Sequence, residues 1–419
     1  MYMTNQKTNV LIVGGGAAGL MAAIAAAECF ASVTVFEKNE KLGRKLRITG
    51  KGRCNLTNNC EINEFLQNVP TNPRFLYSAL SRLDPSDTME LFERIGVPLK
   101  TERGRRVFPI SDKANDVADA LRRECLRLGV VFKREKITGI KTERNRVVGV
   151  VSDTDEYSAD SVIIATGGVS YPRTGSDGDG HRFAKLLGHT ITELTPSLVP
   201  LVAGGICAEC QGLSLRNIGF SVEDANGKIV YRDFGELMFT HFGLTGPVVL
   251  SASAHIPDLS PGKYTAVIDL KPALDEKQLD ARLISDFSKY INKDFCNSLS
   301  DLLPQKLIAP IIRLSEIDER TKVNEITKMQ RQALVKLIKN LRIPLKAHRP
   351  IDEAIITKGG VSVKEINPKT MESKLVDQLF FAGEIIDVDA YTGGYNLQIA
   401  FSTGVIAGEA AAQKIYTEN

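Results

Sequence analysis

A glycine turn directly after an apolar strand constrains this chain more than any other feature. Residues 10–13 are apolar and predict a buried strand, and the glycine-rich turn 14–19 follows at once. Small residues up to Ala27 predict a helix, and residues 33–36 predict a second strand that ends at Glu37. Strand, glycine turn, helix, strand and acid form the layout of a dinucleotide-binding βαβ unit. We therefore predict a nucleotide site here.

Each part of this turn has a physical role. Gly14 permits the tight turn, Gly16 lets a pyrophosphate approach the backbone, and Gly19 lets the helix pack closely on the strand. The helix N-terminus offers free N–H groups and a partial positive charge to the phosphates. Glu37 follows Gly19 by 18 residues, where an acid can bind a ribose hydroxyl; the alternative is a surface acid at a strand end.

Composition limits the class of protein. A chain of 419 residues suggests two or three domains, and 25% charged with 43% hydrophobic residues indicates a soluble globular protein. A net charge of +3 gives no support for a nucleic-acid or membrane partner. Seven cysteines in no regular framework favour a reducing, cytoplasmic setting. Three consecutive glycines interrupt the apolar stretch 10–27, which favours strand, turn and helix over a signal peptide or membrane span.

The pattern along the chain predicts an α/β fold with insertions. Residues 1–194 and 346–419 alternate strands and helices and predict one discontinuous, Rossmann-like nucleotide domain. Residues 195–272 contain short alternating segments, typical of a small antiparallel sheet or barrel. Residues 273–345 are charged, poor in glycine and helical in pattern. Within the first domain, we expect helices over 73–96 and 116–128 and a buried strand over 161–165.

Four segments together resemble one known family. They are VLIVGGGAAGLMAA (10–23), EKNEKLGRKLRITGKGRCNLTN (37–58), ATGG (165–168) and LFFAGEIIDVDAYTGGYNLQIAFSTG (379–404), with GELMFTHFGLTGPVV (235–249) in the middle of the chain. The chain resembles the two-dinucleotide-binding-domain-like FAD flavoproteins, which include aminoacetone oxidase-like and bile-acid reductase-like members. The resemblance implies FAD, oxidoreductase activity, an FAD domain, a β-barrel insert and a helical insert.

Two stretches after the first unit are expected to contact the cofactor. Lys38, Arg44 and Lys45 could offset pyrophosphate charge or contact the adenosine, or form a solvated basic loop. Arg53, Cys54 and Asn55 follow Gly52, and the resemblance places this stretch near the isoalloxazine; the alternative is an ordinary glycine-rich loop. Cys54 could be a redox thiol, although a contact role is the simpler expectation.

The C-terminal segment supplies the other expected contacts. By resemblance, the acidic turn with Gly383, Glu384 and Asp387 lies near the ribityl chain and pyrophosphate. The resemblance also implies that the stretch 392–398 places a helix N-terminus at the flavin ring, where it would stabilise the negative charge of the reduced ring; a routine helix cap is the alternative. The complete set of predicted cofactor-binding residues is Gly14, Gly16, Ala17, Ala18, Gly19, Glu37, Lys38, Arg44, Lys45, Gly52, Arg53, Cys54, Asn55, Ile137, Thr166, Gly167, Gly168, Gly383, Glu384, Asp387, Gly394, Tyr395, Asn396, Leu397 and Gln398.

The catalytic acid or base stays open in the sequence. The candidates are Arg53, Cys54, His241 and Tyr391, and His241 could equally be a structural residue in a packed turn. The pair Cys207 and Cys210 has no further ligands at a suitable spacing, so we predict no metal site.

The leading hypothesis is an enzyme that passes hydride between a small organic substrate and noncovalent FAD. The glycines at 175–180 lack a preceding strand and a following acid, so NAD(P)H would bind transiently if at all. Oxidase and reductase remain open, with dioxygen or NAD(P)H as second partner. The alternatives are a flavin-dependent tRNA-modifying protein, supported only by the basic stretch 103–106, and a non-catalytic FAD-binding module. We expect no nucleic-acid or membrane partner, and the oligomeric state is left open.

Overall fold

The computed structural model describes residues 7–256 and 258–413. The chain divides into two compact units. Unit 1 comprises Met1–Ser197 and Ile351–Asn419, and unit 2 comprises Leu198–Pro350. Unit 1 is thus formed by two separate segments of the chain, and unit 2 by the sequence between them.

The strands and helices follow in chain order. The strands are β1 (Asn9–Val13), β2 (Ser32–Phe36), β3 (Thr57–Asn58), β4 (Leu99–Glu102), β5 (Arg106–Pro109), β6 (Val131–Lys133), β7 (Ile137–Glu143), β8 (Arg146–Ser152), β9 (Glu156–Ser158), β10 (Ser161–Ile164), β11 (Thr195–Ser197), β12 (Leu201–Ala203), β13 (Ser214–Asp224), β14 (Ile229–Thr240), β15 (Gly243–Thr245), β16 (Tyr264–Asp269), β17 (Leu341–His348), β18 (Ile356–Lys358) and β19 (Leu379–Phe381). The α-helices are α1 (Ala17–Glu28), α2 (Arg44–Ile48), α3 (Ile62–Gln67), α4 (Tyr77–Arg82), α5 (Pro85–Arg94), α6 (Ala114–Arg127), α7 (Asp179–Leu186), α8 (Pro247–Ser253), α9 (Glu276–Lys289), α10 (Gln305–Ser315), α11 (Lys328–Lys339) and α12 (Tyr395–Ala412).

A parallel sheet forms the centre of unit 1. Its strands lie in the order β19-β10-β1-β2-β6, and every neighbouring pair is parallel. All four residues of β10 and the last four of β1 are buried. Continuous apolar strands suit this arrangement because helices cover both faces of a parallel sheet. The predicted strands at 10–13, 33–36 and 161–165 are therefore confirmed, apart from single residues at their ends.

Glycine allows α1 and α12 to pack unusually closely. A Cβ atom on Gly404 would lie 2.5 Å from the carbonyl oxygen of Ala18, and one on Gly408 would lie 2.3 Å from that of Ala22. Real Cβ atoms do not approach a carbonyl oxygen this closely, so only glycine fits at these two crossing points. The close crossing holds the first turn of α1, which starts at the glycine turn, against the C-terminal helix.

Unit 2 contains a closed barrel and a group of helices. The barrel strands lie in the order β12-β15-β14-β13-β16-β17, and β17 also pairs with β12 to close it. The predicted helical pattern through residue 345 is wrong for its last five residues, because β17 begins at Leu341. Leu341, Ile343 and Leu345 are buried while the residues between them are exposed, an alternation with the period of a strand. The Rossmann-like fold with an antiparallel barrel and helices is confirmed.

Two other predicted elements differ in detail. The predicted helix over 73–96 is divided into a 3₁₀ turn, α4 and α5, because Asp84 caps a new helix that begins at Pro85. The short alternating segments predicted within 195–272 include a longer element, because residues 229–240 form one continuous strand, β14. Within residues 7–256 and 258–413, no helix has the length and apolar character needed to cross a membrane.

Candidate cofactor-binding site

The glycine turn after β1 leaves room beside a helix N-terminus. Gly14 has a φ of 109°, and its N–H donates to the carbonyl oxygen of Phe36 at 2.9 Å. A Cβ on Gly19 would lie 1.9 Å from the carbonyl oxygen of Gly14, so the helix packs directly on the turn. Gly16 is the N-cap of α1 and has no side chain to cap it, and a Cβ there would meet nothing within 4 Å. The free N–H groups of the first turn, including those of Ala17 and Ala18, therefore adjoin open space that a phosphate can enter.

Glu37 lies at this turn, where an acid for a ribose is expected. Its Oε2 accepts from the Gly15 N–H at 2.9 Å, and its Oε1 accepts from the backbone and side-chain nitrogens of Asn39 at 2.8 and 2.6 Å. Arg44 donates to the side-chain oxygen of Asn39 at 2.7 Å. These bonds fix the Glu37 carboxylate beside the glycine turn, and they give Arg44 a neutral partner.

The other two predicted cations have acidic partners. Lys38 lies 2.6 Å from Asp177 and 3.3 Å from Asp179. Lys45 donates to both carboxylate oxygens of Glu384, at 2.9 and 2.6 Å, and to the hydroxyl of Ser170 at 2.7 Å. Neither ammonium group is therefore unpaired beside the glycine turn.

Gly383 and the end of β10 meet the same edge of the sheet. Gly383 has a φ of 77°, and a Cβ there would lie 2.7 Å from the Cβ of Ala18. Gly167 has a φ of 76°, and Gly168 lies so close to Thr357 that a Cβ would be 2.3 Å from its hydroxyl oxygen. Thr166 has a buried hydroxyl without a hydrogen-bond partner, although this hydroxyl faces Gly180 of α7.

The loop before β3 has a strained backbone and a buried thiol. Gly50, Lys51, Gly52 and Cys54 all have φ values between 57° and 85°. Cys54 is fully buried, and this burial raises the pKa of its thiol to about 12. A neutral, inaccessible thiol is a poor nucleophile, so the environment argues against Cys54 as a catalytic residue.

The two neighbours of Cys54 differ in their surroundings. Arg53 lies 2.5 Å from Glu102 and 2.6 Å from Asp112, and its guanidinium stacks 4.2 Å from the ring centre of Phe108. Arg53 is thus held by protein groups rather than directed into an open site. Asn55 has a buried side-chain oxygen with no hydrogen-bond partner, which suits a ligand donor.

The first turn of α12 contains residues with structural roles. Gln398 is fully buried; it accepts from the Thr57 hydroxyl at 2.6 Å and donates to the Thr88 hydroxyl at 2.8 Å. This network uses Gln398 inside the core and disfavours the predicted cofactor contact. Tyr395 is buried against the ring of Phe65, and burial raises the pKa of its hydroxyl.

The remaining predicted residues lie in several places. Asn396 bonds to the backbone of Ala390 at 2.9 and 2.7 Å and so orders the loop before its own helix. Asp387 is half-buried, and this burial raises the pKa of its carboxyl. Ile137 is a buried residue at the start of β7. Tyr391 is half-buried in the loop before α12, Gly394 and Leu397 are half-buried at the start of this helix, and His241 is an exposed residue of unit 2.

The structure adds residues that the sequence did not indicate. Asn39 donates to Glu37 and orients its carboxylate. In the sequence, the local signal for this role is the position of Asn39 two residues after Glu37. Ser170 and Thr357 hold Glu384 from distant parts of the chain. Asp389 is fully buried; its Oδ2 accepts from the Ser197 hydroxyl at 2.7 Å, and its Oδ1 has no partner.

These residues fit a dinucleotide cofactor. Unit 1 contains the open space at Gly16, the uncapped start of α1, the unpartnered side-chain oxygen of Asn55 and the oriented carboxylate of Glu37. All but Asn55 belong to the β1-α1-β2 segment, where the carboxyl ends of parallel strands form the usual ligand edge. Unit 1 thus has the Rossmann-type fold of a dinucleotide-binding protein.

Comparison with known proteins identifies the family. Residues 8–410 match the family model described as HI0933-like protein Rossmann domain, and the chain belongs to this family. The predicted resemblance is thereby confirmed, and the chain is an FAD-dependent oxidoreductase.

Relatives and solved structures cover almost the whole chain. It is 32% identical to the 3-dehydro-bile acid delta(4,6)-reductase of Clostridium scindens, over 96% of this chain and 98% of that one. It is 29% identical to the ribosomal RNA dihydrouridine synthase of Escherichia coli, over 95% and 96% of the two chains. A 3-ketosteroid delta1-dehydrogenase from Sterolibacterium denitrificans shares the fold with a TM-score of 0.53 at 14% identity, over 97% of this chain and 100% of that one.

Proposed function

We propose that this enzyme reduces a carbon–carbon double bond conjugated with a carbonyl group in a small organic substrate, with NAD(P)H as the reductant. The observation that supports this proposal is the shared chemistry of two relatives that align along nearly the whole chain. The name of one describes reduction at delta(4,6) positions of a 3-dehydro bile acid, and the name of the other describes formation of dihydrouridine. In both substrates the double bond is conjugated with a carbonyl, so its far carbon accepts hydride.

The overall change is a two-electron reduction. NAD(P)H and one proton are consumed, the double bond gains two hydrogens, and NAD(P)+ and the saturated carbonyl compound are released. FAD supplies the hydride exchange between the two substrates when it is bound. The chain would hold FAD through the glycine turn, Glu37 and the turn at Gly383. The N-terminus of α12 would stabilise negative charge on a group placed before it, because Gly394 leaves its N–H groups without a side-chain cap.

NAD(P)H would bind transiently at the flavin site, without a separate nucleotide-binding domain. Across the described residues, the parallel sheet lies in unit 1 and the six-stranded antiparallel barrel in unit 2. The seven cysteines are all free thiols, which supports a reducing cytoplasmic setting where NAD(P)H is available.

Anaerobic flavin reduction tests this proposal. We expect NADH or NADPH to bleach the flavin absorbance and a conjugated enone, such as a 3-oxo-Δ4 steroid, to restore it. A saturated ketone is the matched control and should leave the flavin reduced. Bleaching by an aminoketone, with no response to either pyridine nucleotide, would instead identify an amine oxidase.

A uracil base within RNA is a second candidate substrate, and one structural observation favours it. Asn58 donates to the carbonyl oxygen of Gly104 at 3.0 Å and to that of Gly393 at 3.2 Å. It thereby joins the basic turn of Arg103 and Arg105 to the start of α12. Both arginines are exposed, although Arg105 pairs with Glu64 at 2.5 Å. Cations at this place would contact phosphates beside the flavin site.

A direct comparison separates the two substrates. If RNA is the substrate, we expect RNA binding that is sensitive to salt and that weakens in an Arg103→Ala variant. We also expect a uridine-containing RNA to reoxidise the reduced flavin. Reoxidation by the small enone alone, with no RNA binding at low salt, would exclude the second candidate. The exposed Arg320 of unit 2 offers a matched control as Arg320→Ala.

A further inference from the structure

Positive charge is concentrated around the small sheet of β3, β5 and β4. Residues 50–58 and 99–112 include these three strands and the glycine loop before β3, and they contain six lysines and arginines against two acids. The whole chain has a net charge of only +3, so these two segments carry an unusual share of the positive charge. A surface of this kind attracts anionic groups.

Half of these cations are neutralised by acids. The side chains of Arg53, Lys100 and Arg105 form ion pairs, and their partners are Glu102, Asp112 and Glu64. Lys51, Arg103 and Arg106 form no ion pair with the residues that the structure describes, and we call these three the unpaired basic cluster. Arg106 donates through Nε to the carbonyl oxygen of Arg103 at 3.1 Å, so its two terminal nitrogens stay available for a ligand.

One aromatic ring connects the two segments of this cluster. A Cβ atom on Gly50 would lie 3.7 Å from the ring of Phe108, and the guanidinium carbon of Arg106 lies 5.9 Å from the centre of the same ring. Lys51 follows Gly50 directly in the chain. Lys51 and Arg106 therefore belong to segments that meet at a single side chain.

The cluster adjoins the start of α12. The hydrogen bonds of Asn58 to the carbonyl oxygens of Gly104 and Gly393 hold the turn that contains Arg103 beside this helix. The family resemblance implies that the flavin ring lies before the same helix N-terminus. An anion held by the cluster would therefore lie beside the flavin.

Lys51 has a backbone conformation that lysine rarely adopts. Its φ is 58° and its ψ is 39°, and the glycines on both sides of it also have positive φ values. The left-handed region costs a residue with a side chain about 1–2 kcal/mol. The exposed side chain of Lys51 makes no hydrogen bond or ion pair with the other described residues. Nothing in the fold requires lysine here, and backbone strain of this kind is concentrated at ligand sites.

We propose that the unpaired basic cluster binds a phosphate group of NAD(P)H. A guanidinium forms forked hydrogen bonds with phosphate oxygens, and the ammonium of Lys51 adds a further positive charge. The glycine turn after β1 is expected to hold the pyrophosphate of FAD, so a second dinucleotide needs anion-binding groups elsewhere. The inference rests on the proposed function, because it takes NAD(P)H as the reductant.

Binding of NAD+ and NADP+ to the FAD-loaded enzyme tests this assignment. Neither nucleotide can reduce the flavin, so difference absorbance measures binding without turnover. We expect Arg106→Met to weaken binding about tenfold or more, the loss of one hydrogen bond between charged groups. Equal losses for both nucleotides identify the pyrophosphate as the bound group, and a loss for NADP+ alone identifies the 2′-phosphate.

Three further variants sharpen the experiment. Lys51→Asn removes the charge with a residue that tolerates the left-handed region, so it should keep the fold and weaken binding about three- to fivefold. Arg106→Lys keeps the charge without the fork, and its affinity should lie between those of Arg106→Met and the unsubstituted enzyme. Arg320→Met removes an exposed cation of unit 2 and should leave both affinities unchanged. FAD content and thermal unfolding show whether each variant is folded, and Lys51→Asn carries the test should Arg106→Met fail to fold.

The opposing results are distinct. Unchanged binding of both nucleotides in Arg106→Met and Lys51→Asn would overturn the assignment while the proposed reduction stands. Weaker binding of a uridine-containing RNA in these variants, with unchanged nucleotide binding, would assign the cluster to RNA instead. An unsubstituted enzyme whose flavin is reduced by neither NADH nor NADPH would refute the proposed function and this assignment together, and that result needs no variant.

Discussion

Substitution of Gly16 by alanine separates cofactor binding from folding. Gly16 has a φ of −83°, which alanine adopts readily, and its Cβ would meet nothing within 4 Å. Because alanine is a poorer N-cap than glycine, we expect the apoprotein to lose only about 1 kcal/mol of unfolding free energy. The new methyl group would occupy the space through which a phosphate approaches the helix N-terminus. Loss of one charge-assisted hydrogen bond, about 1.5–3 kcal/mol, weakens FAD binding about 10- to 150-fold.

Gly14→Ala is the matched comparison for this prediction. Gly14 has a φ of 109°, and a Cβ there would lie 2.5 Å from the carbonyl oxygen of Ala165. Backbone strain alone costs about 1–3 kcal/mol, so this apoprotein should be clearly less stable than Gly16→Ala. Urea unfolding without FAD and fluorescence titration with FAD measure the two effects separately. A Gly16→Ala protein that binds FAD as tightly as the unsubstituted protein would refute the placement of the phosphate at this turn.

Three further predictions concern stability and reactivity. Burial holds the pKa values of His181 and His189 below the ordinary value, so protonation favours the unfolded chain. The unfolding free energy should therefore fall as the pH drops below about 6.5. Urea unfolding at several pH values checks this, and His181→Gln should reduce the dependence of the unfolding free energy on pH. Gly408→Ala should destabilise the protein by about 1–3 kcal/mol through overpacking, whereas helix propensity alone would stabilise it by about 1 kcal/mol; thermal unfolding distinguishes the two signs. Alkylation of the native protein near neutral pH should modify the exposed Cys29 and spare Cys54, and rapid labelling of Cys54 would contradict its burial and raised pKa.

The sequence predicted the central fold because its signals are local. Residues 10–13 are apolar throughout, and a strand of this kind is buried wherever helices cover both faces of a sheet. The glycine turn and Glu37 also follow from spacing within one βαβ unit. Strand β17 shows the limit of this reasoning. The sequence pattern predicts a helical region through residue 345, although β17 begins at Leu341. Strand β17 closes the barrel by pairing with β12 and β16, and no local pattern in the sequence reveals these distant partners.

Side-chain partners were the least predictable part of the site. Gln398 follows the GGYN stretch and was expected at the cofactor, yet its amide is used by Thr57 and Thr88, which precede it by more than 300 residues. Arg53 was expected beside the flavin and is held by Glu102 and Asp112. A motif fixes the position of a residue in the chain, whereas the direction of its side chain depends on tertiary contacts.

The same contacts decide which groups offset the charge of the pyrophosphate. Lys38 pairs with acids and Lys45 with Glu384, while Arg44 reaches a neutral amide and is exposed to solvent. An ion pair has little remaining field at a distance, because its two charges largely cancel. The backbone N–H groups at the start of α1 are unaffected by this pairing, and they adjoin the open space at Gly16. Binding of the pyrophosphate should therefore depend mainly on the helix N-terminus, and charge removal at Lys38 should weaken FAD binding less than Gly16→Ala does. The reverse order of effects in fluorescence titrations would assign that role to the cations.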